Sequence, residues 1–185
     1  MRLFVSVDLE PLADAVRAAQ EPLADVDGLR LTDPEGVHVT LKFLGEVPES
    51  RVPAVEDALA AAVEDAAVAP FEARFGGYGV FPSRSYVSVV WIGVREGATE
   101  LTRLHEACEE RTVALGFDPE RHDFTPHATI ARMDHAGGKE RVLRVVEERD
   151  PDVGTMRVDE VRLTESTLAP DGPTYDTVAA FSLSV

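Results

Sequence analysis

Lysine is nearly missing from this 185-residue chain: Lys42 and Lys139 are the only two, set against 34 acidic residues and a formal net charge of −16. Such a surface repels nucleic acid at low salt and keeps a protein soluble. Near molar salt the Debye length falls to about 3 Å and most of that repulsion is lost. The composition fits a salty, halophilic cytoplasm and requires that any polyanion be gripped locally. Cysteine is equally scarce. Cys108 stands alone, which excludes an internal disulfide and fits a cytoplasmic location. No run approaches the ~18 consecutive apolar residues of a membrane span, and the first residues, Met1 to Asp8, lack a signal-peptide cleavage pattern. No H-E-x-x-H, C-x-x-C or G-x-x-x-x-G-K-[ST] motif is present, nor a nucleophilic Ser or Cys motif.

What is there is enough apolar residue, 44% of the chain, for a packed core and too much for a disordered one. The length suits one domain spanning 1–185 or two small lobes sharing a core. Arg2 to Leu9 reads as a buried strand. Leu12, Val16, Ala19 and Leu23 fall at helical spacing, with Pro22 ending that helix early. Val37 to Leu44 is strand-like, and Pro48-Glu49-Ser50 opens a helix with the stripe Val52, Val55, Leu59, Ala62 and Ala66. Phe71 to Phe81 is a strand whose Gly76, Gly77 and Gly79 predict a bulge or a close backbone approach. The order then begins again. Tyr86 to Val94 is a strand, and Thr99 is placed to cap a helix carrying Leu101, Leu104, Cys108 and Leu115, with Gly116 as its stop. Phe124 to Met133 is a strand, a helix with Val142, Val145 and Val146 follows Gly137-Gly138, Val153 to Thr164 is one strand and Tyr175 to Val185 the last.

One short pattern occupies the same slot in both halves: His38-Val39-Thr40-Leu41 and His127-Ala128-Thr129-Ile130. Strand alternation puts the His and Thr of each copy on one face. The reading is an α+β protein, internally duplicated (approximately 1–82 and 85–167, plus a C-terminal strand 175–185). Two mostly antiparallel sheets flanked by helices would enclose a central cleft.

Two histidines across a phosphorus atom suit an in-line displacement, one taking a proton from the attacking group and one giving a proton to the leaving oxygen. Threonine hydroxyls can donate to the non-bridging oxygens, where charge builds. Three other readings stand beside this one: histidines that only satisfy strand-face hydrogen bonds, a nucleotide- or RNA-binding module without turnover, and a metalloprotein with His38 and His127 as ligands.

The chain resembles the 2H phosphoesterase superfamily, and within it the RNA 2′,3′-cyclic phosphodiesterases, also called 2′-5′ RNA ligases. The likeness is carried by Arg2 to Leu9, Val37 to Val47, Gly79-Val80-Phe81-Pro82, Val90 to Val94, Phe124 to Arg132, Leu163 to Leu168 and Gly172-Pro173-Thr174-Tyr175. It implies hydrolysis of RNA 2′,3′-cyclic phosphate ends to 2′-phosphomonoesters without metal or cofactor, with 2′-5′ joining as the reverse reaction. His38 corresponds to the proton donor, His127 to the proton acceptor, and Thr40 and Thr129 to the phosphate-binding hydroxyls. Partners implied are RNA ends, tRNA fragments among them, and no membrane; a monomer is expected.

Lys42 is in phase with His38 and Thr40, so alternation aims it at the cleft or its rim, as a contact to phosphate or else to solvent or a surface carboxylate. Phe43 then points away, into the core. Arg132 is out of phase with His127 and Thr129, yet the family pattern carries a basic residue there, and a bulge or the strand's end would reconcile the two and bring it to phosphate. His105 shares a helix face with Leu101 and Cys108 and reads as packed, His122 and His135 as exposed loop residues, and Phe4 and Trp91 as core.

Overall fold

The computed structural model describes residues 1–184. The strands are β1 (Arg2–Asp8), β2 (Leu29–Leu31), β3 (His38–Glu46), β4 (Phe71–Pro82), β5 (Val87–Glu96), β6 (His127–Met133), β7 (Asp152–Val158), β8 (Glu160–Ala169) and β9 (Gly172–Ser182). The helices are α1 (Ala13–Gln20), α2 (Val52–Ala66), α3 (Ala98–Ala114) and α4 (Lys139–Glu148). β1 is a buried strand as expected, with Leu3, Phe4, Val5 and Val7 all shielded from solvent. The α2 stripe likewise buries Val55, Leu59, Ala62 and Ala66, and α2 packs on α3. Gly97, at φ 96°, occupies the N-cap position of α3. Thr99 therefore lies inside the first turn instead of capping it.

The expected pair of sheets is one nine-stranded antiparallel sheet, ordered β7-β4-β5-β6-β3-β1-β8-β9 with β2 on β6. The two motif strands are its centre, and they meet through one pair, Val39 opposite Ala128. Beyond that pair the same edge of β6 is taken by β2, with Leu31 opposite Ala131. Such a narrow junction leaves room for a cleft while keeping the ladder continuous.

The strand expected over Val153 to Thr164 is two strands. Asp159 alone separates β7, which pairs with β4, from β8, which pairs with β1. Strands joined by one residue yet distant in sheet order require the sheet to curl on itself. Apolar alternation continues on both sides of the break but slips by one residue across it, from Met156 and Val158 to Val161 and Leu163. The glycine-rich strand behaves as its composition predicts. The β4–β5 ladder shifts register beside Gly76 and Gly77, and a Cβ on Gly79 would lie 2.2 Å from the Trp91 ring. The last strand, expected to reach Val185, is observed to Ser182; Val185 itself lies outside the described residues.

Candidate active site

A cavity of about 620 Å³ lies where β3 and β6 meet, lined by His38, Thr40, His127, Thr129, Arg132 and Tyr175 among others. Each histidine is fixed in the same way. His38 Nδ1 donates to Gly36 O at 2.8 Å and His127 Nδ1 donates to Thr125 O at 2.6 Å. A carbonyl only accepts, so the proton of each neutral ring sits on Nδ1 and Nε2 is left with its lone pair. Aromatic rings hold both imidazoles. His38 stacks on Phe4, with centroids 4.7 Å apart, and meets Tyr175 edge-on. His127 meets Phe81 edge-on at 4.8 Å and lies beside Trp91. Phe4 is buried as expected, but on the side of the sheet that faces the site.

Burial is the main cause that holds both imidazoles below the ordinary histidine value. The Gly36 and Thr125 carbonyls oppose that shift, and the Arg132 charge adds to it for both rings. One difference separates them. Asp8 stands opposite His38 in the β1–β3 ladder and favours its protonated form, whereas Gly93 stands opposite His127.

Both motif strands carry a bulge at the same place. In the β1–β3 ladder Ser6 faces Thr40 but Val5 faces Lys42, so Leu41 is the extra residue. In the β5–β6 ladder Trp91 faces Thr129 but Val90 faces Ala131, so Ile130 is the extra residue. Two consecutive residues after each threonine are buried, and the third is exposed at the cavity. That third residue is Phe43 in one strand and Arg132 in the other. Each bulge is braced by a buried side chain from the helix of the other half. His105 Nδ1 on α3 donates to Leu41 O at 2.7 Å, and Gln20 Nε2 on α1 donates to Ile130 O at 3.0 Å.

The bulge reverses the expected phase of Lys42 and Phe43. The Lys42 side chain is 2% exposed and pairs with Glu109 at 2.9 Å, although Lys42 also lines the cavity. Phe43 is 63% exposed on the cavity side and is not a core residue. Of the two basic residues that line the cavity, Arg132 is the exposed one and Lys42 is buried against Glu109. His105 is packed as expected, while Tyr175, which lines the cavity beside His38, was visible in sequence only through the family pattern around it. Cys108 is no candidate nucleophile, because burial pushes its thiol up to about 12. Among the described residues, no three His, Cys, Asp or Glu side chains converge as a metal-binding group, so the metalloprotein reading has no donor set.

A curled antiparallel sheet with two His-x-Thr strands at its centre is the architecture of the 2H phosphoesterases. Within that class the chain belongs to the 2′-5′ RNA ligase superfamily, whose family model matches residues 6–168. It is 36% identical, over 99% of both chains, to the RNA 2′,3′-cyclic phosphodiesterase of Methanothermobacter thermautotrophicus. Its identity to the protein of that name from Archaeoglobus fulgidus is 36%, over 98% of this chain and 99% of that one. A crystal structure from Thermus thermophilus matches with a TM-score of 0.78 at 31% identity, covering 99% of this chain and 98% of that one. The fold also matches that of Escherichia coli LigT complexed with 3′-AMP, with a TM-score of 0.79 at 24% identity, covering 100% of this chain and 98% of that one.

Proposed function

We propose that this protein opens RNA 2′,3′-cyclic phosphate ends to 2′-phosphomonoesters by two-histidine acid/base catalysis. The observation that carries the reading is the matched tautomer of His38 and His127, each with Nδ1 tied to a carbonyl and Nε2 free at one cavity. The names of the relatives supply the substrate class.

In the proposed step His127 Nε2 accepts a proton from water as the water oxygen attacks phosphorus. The bond from phosphorus to the 3′-oxygen breaks, and protonated His38 delivers its Nε2 proton to that oxygen. Solvent then restores both rings. Asp8 opposite His38, with no counterpart opposite His127, supports His38 as donor and His127 as acceptor. Thr40 and Thr129 donate to the non-bridging oxygens, and Arg132 offers its fork to the same group. Joining of a 2′-5′ linkage is the same chemistry reversed, with an RNA hydroxyl in place of water, and stays minor because water is far more abundant. The equivalent bulges and braces of β3 and β6 support an origin by internal duplication, as two repeats within one 1–185 domain acting as a monomer.

The test is the rate on a 2′,3′-cyclic phosphate end for His38→Ala and His127→Ala. Each should lose at least ~10²-fold in kcat, the scale of general acid–base catalysis. Variants that change affinity and leave turnover intact would make the cleft a binding site instead.

A further inference from the structure

Residues 115–126 run from the end of α3 to His127 outside regular helix or strand. Glu120, His122, Asp123, Phe124 and Thr125 from this segment form one wall of the cavity. The wall is held by side chains the mechanism does not use, two of which, Lys42 and His105, also line the cavity. Lys42 Nζ donates to Asp118 O at 2.6 Å and to Glu109 Oε2 at 2.9 Å. The other Glu109 oxygen, Oε1, accepts from Glu120 N at 2.8 Å. One helical turn earlier, on the same face of α3, His105 stacks on Phe124 with centroids 4.1 Å apart and planes 5° from parallel. The wall is therefore fixed at residues 118, 120 and 124, and the next residue is Thr125, whose carbonyl holds His127 Nδ1.

We propose that Lys42 and Glu109 form a positioning pair that keeps the Thr125 carbonyl on His127 Nδ1. The inference rests on His127 being the proton acceptor. If the wall moves, that carbonyl leaves the ring, and the imidazole is free to rotate or to carry its proton on Nε2. In that tautomer the lone pair lies on the wrong nitrogen for accepting a proton from water. Lys42 thus acts through the wall, with its ammonium committed to Glu109 and Asp118 rather than to phosphate. Glu109 stays ionised for the purpose. Burial acts to raise its carboxyl, and the bonds from Lys42 and from Glu120 N outweigh burial and leave it below the usual range.

Glu109→Gln, Lys42→Met and Lys42→Arg separate this account from direct phosphate contact. Three quantities are measured on the full chain: kcat and KM on an oligoribonucleotide with a 2′,3′-cyclic phosphate end, the Kd for inorganic phosphate, and the imidazole ¹⁵N spectrum of His127. Glu109→Gln and Lys42→Met should each lower kcat roughly 10- to 100-fold, the cost of misplacing a catalytic group by about 1 Å, with phosphate affinity unchanged. The His127 spectrum should pass from one Nδ1–H tautomer to a mixture, the two losses should not add in the double variant, and Lys42→Arg should restore most of the rate. Phosphate binding weakened by Lys42→Met and untouched by Glu109→Gln would overturn the proposal. So would an unchanged His127 tautomer in folded Glu109→Gln, which keeps size and stands in should Lys42→Met fail to fold. A wild-type protein that leaves cyclic phosphate unopened refutes the catalytic reading, while the tautomer comparison still decides the role of the pair.

Discussion

Gln20 and His105 make equivalent hydrogen bonds on opposite motif strands, Gln20 to the carbonyl of Ile130 and His105 to that of Leu41. Each belongs to the helix of one half and braces the bulge of the other. A bulge takes a carbonyl out of the ladder, and a buried carbonyl without a partner costs about 1–3 kcal/mol. His105 meets that need at Leu41, and at Ile130 Gln20 adds a second bond to the one the carbonyl accepts from Thr32 N at 3.0 Å. The cross-bracing also locks the register that brings Phe43 and Arg132 back to the cavity.

That register has a consequence for stability. Lys42→Ala removes one partner of a largely buried ion pair. The loss should be about 3 kcal/mol, the low end for such pairs because Glu109 is partly exposed. Phe43→Ala removes a larger but exposed side chain and should cost well under about 1 kcal/mol. Urea denaturation of the two variants checks the order. The reverse order would mean that β3 alternates without a bulge.

The pH dependence follows from burial. Both imidazoles lie below the ordinary value of 6.5 because burial disfavours their charged forms. A ring with a lowered pKa gives up its proton at lower pH, so both are neutral at pH 7 in the free protein. Catalysis needs one protonated and one neutral ring, a state that is most populated between the two lowered values. The profile of kcat/KM, which reports the free protein, should be a bell with its maximum below pH 6.5. A bound phosphate anion favours protonated rings, so the kcat profile should lie at higher pH. A kcat/KM maximum above pH 7 would refute the burial argument.

Arg132 acts on both histidines at once. Its charge disfavours their protonation, so Arg132→Gln should move both limbs of the kcat/KM profile to higher pH. The same change removes charge-assisted bonds to phosphate, each worth about 1.5–3 kcal/mol, and should lower kcat/KM roughly 10- to 100-fold. Arg132→Lys keeps the sign of the charge and loses the fork, so its profile should stay in place while its rate falls. Profiles of the two variants that coincide would show that charge at residue 132 is not sensed by the rings.

Salt should act in the opposite sense to its usual effect on RNA-binding proteins. A net charge of −16 repels an oligonucleotide over the whole surface, and salt screens that repulsion. The KM for a long RNA with a cyclic end is expected to fall as salt rises toward molar, and that for a mononucleotide cyclic phosphate to change little. A KM for long RNA that rises with salt, as counterion release dictates for a basic binding surface, would contradict this.

Much of this was legible in the residues. The His-x-Thr duplication located both motif strands, because alternation of period two is local and needs no tertiary information. The orientation of Lys42 was not legible, since Leu41 gives no sign of being a bulge residue; the bulge is set by pairing with Val5 and Ser6, some 35 residues earlier in the chain. The split at Asp159 was hidden for a related reason. Its two flanking strands differ in which distant strand each joins, and along the chain only a one-residue slip in apolar phase marks the change. Phe4 reaches His38 through the direct pairing of β1 with β3, whereas Tyr175 reaches it from β9, two strands beyond β1.

The central claim is tested most directly by the product formed from an oligoribonucleotide ending in a 2′,3′-cyclic phosphate, incubated at high salt with EDTA. The account predicts a 2′-phosphomonoester, at a rate that chelation does not change. An unopened cyclic end, or activity abolished by EDTA, would contradict it.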